Sequence, residues 1–158
     1  MERCTEAAAA LSPCGRYRYG LWRRWSAGRG ELLVVGLNPS RADGRCDDPT
    51  LRRCIGFAQA WGFQGLRLAN LFAWRARDPV QLRRVADPVG PDNDRWLLQL
   101  AEGAELILAA WGNRGQWQGR DQRVLTLLGP WHCLGFSAQG APLHPLYLPR
   151  SCRPQRWC

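Results

Sequence analysis

The sequence predicts an α/β fold: a single three-layer domain whose four-stranded, mainly parallel central sheet is flanked by helices, with an N-terminal antiparallel hairpin strand. Three observations predict it. An unbroken apolar run, Leu32 to Val35, stops at Gly36; a strand covered on both faces needs no polar alternation. A helix start at Asp48-Pro49 and a further apolar run from Leu66 follow it, which makes a strand–helix–strand crossover. A third run, ELILAAWG (105–112), ends like the first in Gly, with Asn113 just beyond.

Each element follows in order. Residues 1–13 form a flexible lead-in, the four-alanine run having too short a periodic face for a stable helix. YRYGLWRRW (17–25) alternates as a half-exposed strand, and the SAGRG turn pairs it with the 31–36 strand as an antiparallel hairpin. Its aromatics are expected inside and its arginines snorkelling outward, as on an edge strand. Asp48 is a good N-cap and Pro49 a good first residue for a helix through Trp61, with Leu51, Ile55, Phe57 and Ala58 towards the sheet. Capping and solvation account for Asp43, Asp47 and Asp48 more simply than a divalent metal does. LRLANLFAW (66–74) is the second parallel strand. Helix starts follow at Asp78-Pro79 and Pro91-Asp92, the latter with Trp96, Leu97 and Leu100 on one side. After the 105–112 strand comes a polar helix to Leu128, then a short fourth parallel strand, WHCLGF (131–136). One domain spans 14–150, and residues 151–158 are a basic, marginally ordered tail.

Composition limits the function. The chain has 158 residues, enough for one well-filled core, and 46% hydrophobic content with 9 Trp excludes a disordered polyelectrolyte. All 22 basic residues are Arg, against 13 acidic ones, for a net charge of +9. Arg suits phosphate and base-edge recognition through its planar fork, although GC-rich coding produces the same bias. The 7 Cys include no CxxC pair, and the two His, His132 and His144, form no cluster. No metal and no cofactor is expected from this set. No signal-peptide core and no membrane-length apolar stretch is present, so the expectation is a reduced, cytoplasmic protein with no membrane association. Nothing in the sequence calls for an obligate protein partner.

The loops after the parallel strands should meet at one sheet edge, where open α/β sheets keep their ligands. Asn38, Pro39 and Ser40 leave the first strand, Asn70 lies at the end of the second, and Gly112-Asn113 follow the third. The loop with His144, Pro145, Leu146, Tyr147 and Leu148 reaches the same edge. Amides donate and accept side by side, as planar nucleobase edges require. GxGxxG and GxxxxGK[ST] are both absent, which argues against dinucleotide or nucleoside-triphosphate binding by those loops.

The succession YRYGLWRRW, GLNPS, DDPTLRRCIGFA, WGF, NLFAWRARDP, DPVGPDND, AAWG and HPLYL closely resembles a bacterial and phage family of uncharacterised proteins, domain of unknown function 1643, across nearly all of residues 14–149. More remotely, the order of motifs resembles the uracil-DNA glycosylase superfamily. Gly36-Leu37-Asn38-Pro39-Ser40 is similar to its Gly-x-Asn-Pro-Gly motif after strand one. Leu68-Ala69-Asn70 is similar to the strand ending in a uracil-binding Asn. Ala110-Trp111-Gly112 matches a strand ending in Trp-Gly, and His144-Pro145-Leu146-Tyr147-Leu148 a final His-Pro loop. Ser40 stands where the motif ends in Gly, and Asn38 where the most active branch has Asp.

The resemblance implies a uracil-DNA-glycosylase-like fold and a division of roles. Asn38 and His144 would be catalytic, positioning a water and stabilising charge on the departing base. Gly36, Leu37, Pro39, Ser40, Asn70, Asn113 and Tyr147 would bind the substrate, with Phe57 the candidate for stacking on the base. Arg41, Arg45, Arg75 and Arg114 would hold phosphates, and Leu146 would fill the gap left by an extruded nucleotide. The expected function is nucleic-acid base processing: a DNA glycosylase that hydrolyses the N-glycosidic bond of a modified or mismatched base without a metal. A non-catalytic nucleic-acid or nucleobase-binding module, or a hydrolase of small nucleosides, stands as the alternative.

Overall fold

Seven strands share one mixed sheet in the computed structural model, which describes residues 2–25 and 28–157. They are β1 (Glu6–Leu11), β2 (Arg18–Arg24), β3 (Glu31–Gly36), β4 (Gly65–Asn70), β5 (Leu106–Ala109), β6 (Trp131–Cys133) and β7 (Gln155–Arg156), in the order β1-β2-β4-β3-β5-β6-β7. The central four, β4-β3-β5-β6, run parallel. Helix α1 (Pro49–Ala60) joins β3 to β4; α2 (Asn93–Ala101) precedes β5 and α3 (Arg120–Leu127) precedes β6.

Period-two alternation divides the core. Leu32, Val34, Leu66 and Leu68 pack with Leu51, Cys54, Ile55 and Ala58 of α1 on one face. Leu33, Val35, Ala69 and Ile107 pack with Leu97 and Leu100 of α2 and Val124 of α3 on the other. The chain steps from β3 to β4 in one direction and from β5 to β6 in the opposite one. The strand order therefore reverses at β3, which opens a crevice at the carboxyl ends of the neighbouring strands.

Four expectations change. Residues 6–11 are not a loose lead-in: they add β1 antiparallel to β2, with Ala9 opposite Leu21. The 17–25 segment does not pair with the 31–36 strand across the SAGRG turn, part of which (26–27) lies outside the described residues; β2 pairs instead with β4, Leu21 opposite Leu68. That placement makes β2 an interior strand. Arg18 and Arg23 are consequently buried with Tyr19, and only Arg24 of the three strand arginines reaches far into solvent. The tail is also ordered at its end, where β7 pairs antiparallel with β6 and Trp157 packs against Trp111 and Phe136.

Opposite the crevice, Glu31 staples three strands. Its buried carboxylate accepts from Arg24 Nε of β2 at 2.8 Å and from Arg67 Nε of β4 at 2.9 Å. Burial alone would raise its pKa, but the two guanidinium hydrogen bonds outweigh that and hold it below the usual carboxylate value. A depressed folded-state pKa means the contribution is complete above the unfolded pKa, about 4.3, and is lost as pH falls through the folded value. Glu31→Gln should therefore cost roughly 1.5–3 kcal/mol at neutral pH. In denaturant melts from neutral pH down into the acid range, the difference from wild type should shrink steadily; a constant difference would show that the charge is immaterial.

Candidate functional site

Register brings the two amides to one edge. Gly36 is the parallel partner of Asn70, so the exits of β3 and β4 leave the sheet side by side. They stay paired beyond it: Leu71 N–H donates to Gly36 O and Phe72 N–H to Leu37 O. Farther out, Ala76 N–H donates to Pro39 O at 2.9 Å, while Asn38 Nδ2 donates to Ala76 O at 2.9 Å and to Pro39 O at 3.1 Å. Both partners are carbonyls, which only accept, so the orientation of the Asn38 amide is fixed: Nδ2 is used up by the loops and Oδ1 is the group left to a ligand or water.

Asn70 has the opposite polarity. Arg18 Nη2 donates to its Oδ1 at 3.4 Å, and a guanidinium has no acceptor, so Oδ1 must face Arg18. Nδ2 then lies against Gly36, where an added Cβ would come within 3.0 Å of it, and it has no hydrogen-bond partner among the described residues. Gly36 is thus glycine for close approach to an amide. The Asn70 backbone is also held: Asn93 Nδ2, at the start of α2, donates to Asn70 O and Leu71 O at 3.0 and 2.9 Å. Arg120 Nε, at the start of α3, donates to Leu71 O at 2.9 Å while its Nη1 pairs with Asp94.

These side chains face a cleft of about 350 Å³. Gly36, Leu37, Asn38, Ser40, Arg41, Asn70, His144 and Leu146 all line it, so eight of the residues singled out from the sequence converge. Pro39 is buried behind its own loop. Asn113 does not join them; its Oδ1 accepts from Ser137 Oγ on the far side of the Gly112 turn. Arg114 lines a neighbouring hollow of about 220 Å³ with Leu37, Phe72 and Trp117. Arg75 Nη1 donates to Gly15 O, Arg45 stands on the exposed turn closed by Asp43, and Tyr147 projects 91% exposed beside the His144 loop. Phe57 is buried in the α1 core against Trp61 and is no stacking platform for the cleft.

His144 caps the short 3₁₀ turn Pro145–Tyr147, its Nδ1 accepting from Leu146 N–H at 3.2 Å. An accepting Nδ1 places the ring proton on Nε2, which is then a neutral donor. Desolvation lowers its pKa below the ordinary value, the nearby Asp48 opposing that in part. The imidazole therefore stays neutral at physiological pH.

Three charged lining residues were not foreseen as site residues. Arg18 is 2% exposed; Nη1 donates to Ala42 O at 2.7 Å, its Nε is buried without a partner, and no carboxylate among the described residues pairs with it. Burial depresses its pKa to about 10, still charged at neutral pH. Arg77 lines the cleft from the loop after β4. Asp48, the only carboxylate lining it among the described residues, uses Oδ1 to cap α1 through Leu51 N–H at 2.8 Å. The cap was legible as Asp-Pro; that the cap opens into the cleft depends on how α1 docks. Cys54 also lines the wall, but burial pushes its thiol up to about 12, so it is an apolar surface and not a nucleophile.

The chain matches the family model described as protein of unknown function (DUF1643) over residues 18–146. It belongs to that family. The matched span runs from Arg18 to Leu146 and so includes every residue that lines the cleft. No curated protein and no solved structure matches the chain. Among the described residues no group of three or more His, Cys, Asp or Glu is arranged to hold a metal, and no helix is long and apolar enough to cross a membrane.

The His144 geometry is directly measurable. In a ¹⁵N–¹H NMR titration its midpoint should fall below about 6.5, the free-imidazole value, with the Nε2–H tautomer above it. A midpoint at or above that value, or the Nδ1–H tautomer, would show that the Leu146 hydrogen bond does not set the ring.

Proposed function

We propose that this family member is a nucleic-acid base-processing enzyme that hydrolyses an N-glycosidic bond in the cleft without a metal, as the resemblance to the uracil-DNA glycosylase superfamily implies. The observation that carries the reading is the opposed, fixed polarity of the two amides in one cleft: Asn38 offers an acceptor, Asn70 a donor. A parallel four-stranded centre with helices on both faces is in keeping with that kinship.

The chemistry follows from where charge develops. As the C1′–N bond breaks, its electron pair passes to the base and positive charge builds on the sugar. Asn70 Nδ2 and His144 Nε2–H donate to the base oxygen, and the buried Arg18 behind Asn70 adds a field of the right sign. Asp48 favours the sugar cation, and Asn38 Oδ1 orients the water whose oxygen bonds to C1′. The water gives up one proton and the base takes one, so the products are free base and an abasic sugar. Leu146 and the exposed Tyr147 stand at the mouth, where the stack vacated by an extruded nucleotide would be filled. A polymer substrate is favoured over a free nucleoside by that exposed aromatic beside the cleft.

Oligonucleotides carrying uracil, hypoxanthine, xanthine or mismatched bases should yield alkali-labile abasic sites with the wild type. Asn38→Ala and His144→Ala should each lower the single-turnover rate about 10²- to 10³-fold while melting curves still show a folded protein. Asp48→Asn keeps an equally good helix cap, so a fall in rate without a fall in stability would assign its charge to the reaction. Binding without base release on any substrate would leave a nucleobase-binding module instead.

A further inference from the structure

The outer face of α1 carries an open groove of about 860 Å³, walled by Arg52, Arg53, Phe57, Leu146 and Arg150 with Pro49 at one end. Pro49 and Leu146 also line the cleft, so groove and cleft adjoin at the start of α1. Their charge is one-sided. Arg41 and Arg77 at the cleft and Arg52, Arg53 and Arg150 in the groove form no ion pair with a carboxylate among the described residues. Glu2 is the one acidic residue that lines the groove.

A second observation points to an occupant. Gly56 lies within α1, partly exposed, at a position that helix propensity disfavours for glycine. Its backbone is ordinary helix, and a Cβ there would meet nothing within 4 Å. Neither a turn nor internal packing requires glycine, and Gly56 lines the groove. A bare stretch of helix backbone flanked by unpaired guanidinium groups suits close approach by something flat and anionic. Arg53 is already held as a plane over the Phe57 ring, its carbon 5.1 Å from the centroid. Single-stranded nucleic acid tracks positively charged grooves of this kind.

We propose that the α1 groove is the path of a single strand of nucleic acid. Arg52, Arg53 and Arg150 track its phosphates, Gly56 lets it lie against the helix, and Leu146 marks the point where one nucleotide turns into the cleft. The inference rests on the nucleic-acid reading of the cleft and adds to it the route of the flanking strand. A single strand exposes both its phosphates and its base faces to such a groove, whereas a duplex keeps its base faces stacked inside.

The test is anisotropy with labelled oligothymidylate and oligouridylate of roughly 15 nucleotides, a length within the range one such groove covers. Three phosphate contacts give a salt slope near −2, an affinity loss of about 20-fold between 50 and 200 mM salt. Gly56→Glu, which places a carboxylate in open space, and the double variant Arg52→Ala/Arg150→Ala should each weaken binding about tenfold or more and flatten that slope. Gly56→Ala, which covers the bare backbone with one methyl, should weaken binding by a smaller factor, and Arg95→Ala, on α2 across the sheet, should bind as wild type does. Melting curves check that each variant folds; the double variant keeps the test open should Gly56→Glu not. Unchanged binding by the groove variants would overturn the proposal, as would a matching duplex bound as tightly as the single strand. Base release from a dinucleotide with no oligomer binding would reject the groove and keep the cleft chemistry. Oligomer binding through the groove with no base release would reject the glycosidic reading alone.

Discussion

Everything at the site depends on the carboxyl end of β4 being held from three sides. Asn93 of α2 and Arg120 of α3 reach under the strand to its last carbonyls, and Arg18 of β2 takes the side-chain oxygen of Asn70. All four polar residues are buried, where each unmade hydrogen bond is costly, so the arrangement is close to all-or-none. Because Gly36 is the register partner of Asn70, fixing one strand end fixes the other. The loop from Leu37 to Ser40 inherits its position from that pair, and the Asn38 amide then closes it onto Ala76.

Arg18 is the exception to ordinary core economy. A buried guanidinium with no carboxylate beside it forfeits solvation that a paired one would recover, and its depressed pKa reflects that. Glu31 shows the alternative at the opposite end of the same sheet, where two arginines and one carboxylate settle into a staple. One end of the sheet is neutralised and carries stability; the other is left cationic and carries an unmet demand for negative charge. Uncompensated charge of this kind collects where a ligand supplies the complement.

The parallel centre was legible in the sequence because fully buried strands write themselves as unbroken apolar runs, as at Leu32–Val35. The α1 start was equally legible from Asp48-Pro49. The flanking strands were not. Glu6–Leu11 is mostly alanine, whose weak strand preference is overridden by the free edge of β2, and Gln155–Arg156 is two residues long. The β2 error has one cause: alternating Tyr and Arg reads as an edge, and nothing local says that β1 will cover it. Of the site, the residues on strand exits were readable, since period and Gly endpoints locate those exits. Asn113 was misplaced because the positive-φ Gly112 turns the chain away towards Ser137. Arg18, Asp48 and Gly56 reach their roles only through docking of β2 and α1, which no local pattern encodes.

Several of the local rules that this sequence breaks meet around the cleft and the adjoining groove. A mid-helix glycine with open space above it, a buried arginine without a counter-ion and a run of unpaired arginines are each mildly unfavourable for folding. Scattered over the molecule, they would be noise. Gly56 faces the groove, Arg18 floors the cleft, and Arg41, Arg77, Arg52, Arg53 and Arg150 line one or the other. The same chain pairs Arg23, Arg24, Arg67 and Arg120 with carboxylates and fills both faces of its sheet. Departures that meet on one surface invite an explanation in what that surface holds, and their shared sign, excess positive charge with room for close approach, supports the anionic, flat-faced ligand proposed above.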